Sequence, residues 1–261
     1  MLGLNYRQFK CDNPAALHVV LIHGWGLHSG VFNKIIEPLR AFAHVTLIDR
    51  AGYAPSPMMT AAQETQAILN IAPPCAIYIG WSLGGMLVLD LASRYPHRVM
   101  AVMVVATNPC FVQRDDWLCA MPLATFKAFE QSVVDNMYVG LLRFIGLQCQ
   151  GSATQRHDIR YLQEQLMARA MPNYHALLAG LSDLLQLDIR QTVQVLRCPM
   201  IWLHGAKDSL AKADIDALFA LNPLIAVSTT SEAAHVPFVS HPTLFVNTVK
   251  RFIDELQHDQ F

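Results

Sequence analysis

The sequence predicts an α/β fold: a mostly parallel sheet with helices on both faces and one inserted helical block. Short apolar runs alternate with longer amphipathic stretches, the pattern of strands buried on both faces and joined by crossover helices. A Gly-x-Ser-x-Gly stands where one apolar run hands over to a helical pattern. Between about residues 111 and 190 the alternation stops and helical periodicity takes over.

Taken in order, the strand candidates are Leu17–Ile22, Val45–Ile48, Ala76–Ile79, Val99–Val105, Met200–Leu203 and Ile225–Thr229. Helical patterns fall at Val31–Phe42, Ala61–Ile71, Leu83–Tyr95, Ala213–Ala220 and Pro242–Leu256. Prolines punctuate the joins at Pro73-Pro74, Pro109, Pro199 and Pro223. The central block reads as helices Leu123–Val134, Tyr138–Leu147, Gln155–Met167 and Tyr174–Leu185. Strand alternation resumes after it, so both flanks belong to one sheet. The expected organisation is therefore a core of residues 1–110 and 191–261, with residues 111–190 as a helical lid over the carboxyl ends of the strands.

Composition narrows the function classes. Of 261 residues 53% are hydrophobic and 15% charged, which suits a folded core and excludes a disordered chain. A formal net charge of −1 argues against a general nucleic-acid binder. The 6 cysteines form no C-x-x-C pair, which predicts reduced, buried thiols and no metal site. The first residues lack the apolar core of a signal peptide, and Val99–Ala106 is too short to span a bilayer. The expectation is a cytoplasmic enzyme with no membrane contact.

The chemistry starts at Ile79-Gly80-Trp81-Ser82-Leu83-Gly84-Gly85. Strand, sharp turn and helix together make a nucleophile elbow, in which a strained serine stands at the tip of the sheet. Side chains two positions to either side would clash, and Gly80 and Gly84 carry none. Ser82 is the candidate nucleophile.

A serine hydroxyl needs a base, and the base an orienting acid, in the chain order serine, acid, histidine. Ile201-Trp202-Leu203-His204-Gly205-Ala206-Lys207-Asp208 reads as strand, turn and acid, which selects Asp208. Asp214 and Asp216 fall in the following helical pattern and read as surface charge. Among 11 histidines, His235 follows the last strand candidate and precedes the final helix, where the base should sit. Acyl transfer also needs donors for the developing oxyanion. The N–H of Leu83 is one candidate. The other is the N–H of Trp25 in His23-Gly24-Trp25-Gly26, whose indole would also wall the acyl pocket.

Together, HGWGLHSGVF, GWSLGGM, TNPCFVQRDDW, HGAKD and AAHVPFVSHP resemble the α/β-hydrolase superfamily along nearly the whole chain. Within it the sequence resembles the pimeloyl-[acyl-carrier protein] methyl ester esterases of biotin synthesis. The shared features are the Gly-Trp-Ser-Leu-Gly-Gly elbow, the His-Gly-Trp-Gly loop, and Asn108-Pro109-Cys110-Phe111 with a following Asp-Trp. The resemblance implies an α/β-hydrolase fold and hydrolysis of a methyl ester on a pimeloyl chain held by acyl carrier protein. It departs at Asp49-Arg50-Ala51-Gly52-Tyr53-Ala54-Pro55-Ser56, where many relatives read Asp-Leu-Pro-Gly-x-Gly-x-Ser.

The resemblance also implies that Phe144 and Gln148 line the acyl channel, with Leu147 adding to its apolar character. Arg156 and Arg160, spaced i, i+4, share a helix face. With Arg143 they form a candidate contact for the acidic carrier, diluted by Asp158 and Glu164. No cofactor or metal is required, and a monomer is expected. A general short-chain carboxylesterase of the same fold, indifferent to a carrier, remains the alternative.

Overall fold

The computed structural model describes residues 3–212 and 214–258. In chain order the core opens with β1 (Tyr6–Phe9), β2 (His18–Ile22), α1 (Asn33–Arg40), β3 (His44–Ile48) and α2 (Ala61–Ile71). It continues with β4 (Ala76–Trp81), α3 (Leu83–Arg94) and β5 (Val99–Val105). Four helices follow, α4 (Leu123–Asp135), α5 (Met137–Cys149), α6 (Gln155–Met167) and α7 (Tyr174–Gln186). The chain then returns through α8 (Arg190–Val195), β6 (Met200–Gly205), α9 (Ile215–Leu221), β7 (Ile225–Thr230), α10 (Pro237–Ser240) and α11 (Pro242–His258).

The strands form one seven-stranded sheet in the order β1-β3-β2-β4-β5-β6-β7. β1 pairs antiparallel with β3, and every other pairing is parallel. β4 and β6 are buried at every position, and β2 at all but its first. Such uniform burial follows from covering a parallel sheet on both faces, and it is why these strands read as unbroken apolar runs. The reversal of strand order falls between β2 and β4, so their carboxyl ends and the following loops form the crevice where ligands bind in open α/β sheets.

The observed elements depart from the sequence reading in ways that have physical causes. β1 lies outside the expected strands: it is a four-residue edge strand whose exposure alternates, and only pairing with β3 defines it. The helix expected from Val31 begins as a 3-10 turn, Ser29–Phe32, because the His28 side chain accepts from the Gly30 N–H. α1 then starts at Asn33. Ala213, expected to open a helix, lies outside the described residues. Asp214 caps α9 by accepting from the Ala217 N–H at 3.1 Å, a structural job rather than idle surface charge. Cys75 is exposed, against the expectation of buried thiols, whereas Cys11, Cys110 and Cys149 are buried. No described helix is long and apolar enough to cross a membrane.

Among the contacts that tie the four-helix insertion to loops of the core, three stand out on the β2 and β3 side. Arg169 pairs with the fully buried Asp49 at 2.5 Å. His28 Nε2 meets the Gln165 carbonyl at 2.7 Å, and the Trp25 indole N–H donates to the Leu177 carbonyl at 2.8 Å. All three core partners lie in segments following β2 or β3, so the insertion is fastened beside the crevice.

Candidate active site

The end of β4 delivers Ser82 in a backbone conformation that L-residues avoid, φ 53° and ψ −121°. Three contacts hold it there. The Ser82 N–H donates to the Val105 carbonyl at 2.8 Å, continuing the β4–β5 ladder by one residue. The Ser82 carbonyl accepts from the Gly85 N–H at 2.8 Å and from the Thr107 hydroxyl at 3.1 Å. The flanking glycines permit the geometry by close approach. A Cβ on Gly80 would fall on the Gly84 carbonyl, and one on Gly84 would lie 2.5 Å from the carbonyl oxygens of Ile22 and His23. Gly24 is close as well, with Ser82 Cβ 3.0 Å from where its own Cβ would stand.

Asp208 and His235 reach each other through the loops after β6 and β7. Lys207 N–H donates to the Ala233 carbonyl at 2.9 Å. A Cβ on Gly205 would collide with the carbonyls of Ala233 and Ala234, so the glycine is what lets these loops touch. His235 Nδ1 then lies 2.9 Å from Asp208 Oδ2, both side chains being 1% exposed. The other carboxylate oxygen accepts from the N–H groups of Leu210 at 2.9 Å and Ala211 at 3.1 Å. Burial pushes the Asp208 carboxyl up, but the His235 ring and these hydrogen bonds outweigh it and hold the group below the usual carboxylate range. An ionised Asp208 accepts from Nδ1–H, which leaves Nε2 as the ring's free basic atom. His235 Nε2 is buried and has no hydrogen-bond partner among the described residues.

The main chain of His235 is held from two sides. Its backbone N–H donates to the Gln148 carbonyl at 3.0 Å, and its carbonyl accepts from the Trp81 indole N–H at 2.9 Å. Trp81 immediately precedes Ser82, so the base loop and the elbow are joined through adjacent residues. Leu83 opens α3, and its N–H is one of the helix's unsatisfied N-terminal donors. Trp25 is 1% exposed, in the loop after β2.

α5 closes over this loop. Phe144 is buried and packs edge-on against Trp25 with ring centroids 5.0 Å apart. Phe129 of α4 stacks on Phe144 at 5.0 Å and meets Trp25 at 5.4 Å, completing an aromatic trio. Phe129 carries no motif of its own in the sequence, although its spacing from Phe126 places it on an inward stripe of α4. Leu147, expected to add to the channel, is 37% exposed instead, because it sits on the outer face of α5. Gln148 is fully buried, and both ends of its side-chain amide lack a partner. A buried amide with four unused hydrogen-bonding positions is costly unless something polar meets it.

Arg143, Arg156 and Arg160 are exposed on α5 and α6, which pack against each other. None of the three makes an ion pair among the described residues. Asp158, expected to dilute their charge, is fully buried and accepts from the hydroxyls of Ser152 at 3.0 Å and Thr154 at 2.7 Å. It therefore takes no part in that surface.

The model of the family described as the alpha/beta hydrolase family matches residues 19–248. The chain is 37% identical over 232 residues to "Pimeloyl-[acyl-carrier protein] methyl ester esterase" from Klebsiella pneumoniae, covering 87% of this chain and 90% of that protein. Among solved structures, an esterase from Exiguobacterium antarcticum superposes with a TM-score of 0.82 at 15% identity, covering 96% of this chain and 95% of that one. A bromoperoxidase from Bacillus anthracis gives 0.79 at 18%, covering 96% and 95%. One fold thus carries different chemistries, and these distant likenesses speak to the fold alone. The chain belongs to the alpha/beta hydrolase family, with a pimeloyl-[acyl-carrier protein] methyl ester esterase among its relatives.

Proposed function

We propose that the chain is a serine carboxylesterase that hydrolyses the methyl ester of a pimeloyl chain carried on acyl carrier protein, a reaction of biotin synthesis. Ester hydrolysis itself is the activity class of the named relative at 37% identity. The observation that carries the mechanism is the buried Asp208–His235 pair, whose Nε2 is left unpartnered and whose loop is tied through the Trp81 indole to the elbow that presents Ser82.

In this reading His235 Nε2 takes the proton from the Ser82 hydroxyl as the oxygen attacks the ester carbonyl. The N–H groups of Leu83 and Trp25 hold the oxyanion. The tetrahedral adduct collapses to an acyl-enzyme, and His235 returns its proton to the departing methanol. Water then adds by the same route and releases the free carboxylic acid, restoring Ser82. Asp208 fixes the ring tautomer and stabilises the transient imidazolium. Every group comes from one chain, so a monomer suffices, and no metal or organic cofactor takes part.

The insertion supplies the specificity. Phe144, Phe129 and Trp25 offer an apolar wall for a methylene chain, and the unpartnered Gln148 amide offers a hydrogen bond to a carbonyl of the acyl group. α4–α7 act as the lid. Arg143, Arg156 and Arg160, with Asp158 turned inward, give a cationic edge suited to an acidic carrier in the cytoplasm. The test compares pimeloyl-acyl carrier protein methyl ester with a short p-nitrophenyl ester, using wild type, Ser82→Ala and an Arg156→Ala/Arg160→Ala variant. Ser82→Ala should lose turnover of both by orders of magnitude. The arginine variant should lose only the carrier substrate, with the loss shrinking at high salt. Equal cleavage of both esters by wild type and variant would instead establish a general short-chain esterase.

A further inference from the structure

A cavity of about 450 Å³ lies among α2, α3, α7 and the segment after β3, and neither Ser82 nor His235 lines it. This is the size of a small-molecule site, typically about 300–1,000 Å³. Its walls are largely apolar, with Met58, Met59, Met86, Leu87, Leu187 and Ile189 contributing. Methionine-rich walls adapt readily to an alkyl body.

The charged groups around it do not cancel. Arg50 is spent on Glu64, with Nε and Nη2 each 3.2 Å from a carboxylate oxygen, and the Ala51 N–H adds a third bond to Glu64 at 2.9 Å. Asp90 and Arg94 neutralise each other at 3.1 Å. Asp183 remains, half-buried on α7, with neither an ion pair nor a side-chain hydrogen bond among the described residues. Burial pushes its carboxyl up, while Arg50 pulls the other way. A carboxylate so placed is best satisfied by a cation, and it disfavours an anion.

The cavity stands behind the loop that holds Trp25. Its wall residue Tyr53 accepts from the Gly26 N–H at 3.0 Å. Gly180, also in the wall, lies so close that a Cβ there would be 2.6 Å from Trp25 Cδ1. Leu83, at the start of α3, also lines the cavity. We infer that this cavity is a second binding site, taking a small amphipathic amine whose ammonium pairs with Asp183 and whose alkyl body lies on the methionine and leucine walls.

The test is calorimetric titration of the full chain with octylammonium, octanol and octanoate. Octylammonium should bind saturably and more tightly than octanol, with octanoate weakest. Asp183→Asn loses no described partner, so it should fold normally, weaken octylammonium at least tenfold and leave octanol unchanged. Ala179→Phe, at the exposed rim, should weaken octylammonium and octanol alike. Absence of saturable octylammonium binding, octanoate binding as tightly as the amine, or an Asp183→Asn variant with undiminished amine affinity would each overturn the assignment.

Discussion

The indole N–H of Trp81 donates to the backbone carbonyl of His235 at 2.9 Å, although 154 positions separate them in the chain. The bond joins the turn that strains Ser82 to the loop that carries the candidate base, and both partners are buried. Trp81→Phe should therefore act on catalysis as well as on stability. It leaves a buried carbonyl unsatisfied, which costs about 1–3 kcal/mol. It also loosens the position of His235 relative to Ser82, and turnover of a short ester should fall roughly tenfold or more. Thermal unfolding with steady-state kinetics checks this; a destabilised variant with wild-type kcat would show that the bond only supports the fold.

Asp208→Asn separates charge from geometry. Asparagine can still accept from Leu210 and Ala211 through its carbonyl oxygen, so the loop should keep its shape. Its amide would donate where the carboxylate accepts from His235 Nδ1, driving the ring to the wrong tautomer and occupying the basic atom. The expected loss in kcat is about four orders of magnitude near neutral pH, as in other serine triads. A loss below tenfold would remove Asp208 from the mechanism.

Much of this architecture is legible in the sequence because local pattern and global placement agree. β4 and β5 are apolar runs because both faces are covered, and the glycines at 80 and 84 mark a turn that no side chain could share. β1 is not legible, since half-exposed Tyr6–Phe9 becomes a strand only by pairing with β3. α8 is also hidden, being six residues long. The site shows the same division. Ser82, Asp208 and His235 each follow a strand and can be placed by order along the chain. The Trp81–His235 and Gln148–His235 bonds, the Phe129 stack and the inward turn of Asp158 arise between positions far apart or from helix rotation. Composition carries no trace of these.

Gly180 is the point where α7 meets the loop of Trp25. An added Cβ would stand 2.6 Å from the indole Cδ1 and 3.3 Å from Leu83 Cδ2, so both candidate oxyanion residues would be pushed. Alanine is worth about 1 kcal/mol more than glycine inside a helix, and that gain competes with about 1–3 kcal/mol of overpacking. Gly180→Ala should thus be near neutral or mildly destabilising, yet lower kcat about ten- to a hundredfold with little change in KM. An unchanged kcat would mean that the Trp25 N–H is not a transition-state donor or that the loop yields without consequence.

His23 gives the fold a pH dependence of its own. Its Nε2 accepts from the Arg50 N–H at 2.9 Å, so Nδ1 carries the proton and donates to the Gly24 carbonyl at 2.8 Å. A second proton would have to sit against a backbone N–H. Burial, opposed by Asp49, lowers its pKa from 6.5 to about 4. Between those two values the unfolded chain binds a proton that the folded chain does not, so stability falls as pH falls through this window. The full shift corresponds to about 3 kcal/mol lost between pH 7 and pH 4. His28, lowered mainly by burial, adds in the same direction. Asp208 and Asp49, both held below the usual carboxylate range, contribute their own loss at still lower pH. His23→Gln should therefore show a flatter stability profile between pH 6.5 and 4, the remaining slope belonging to His28. Urea unfolding across this range measures it, and an unaltered slope in the variant would refute the role of His23.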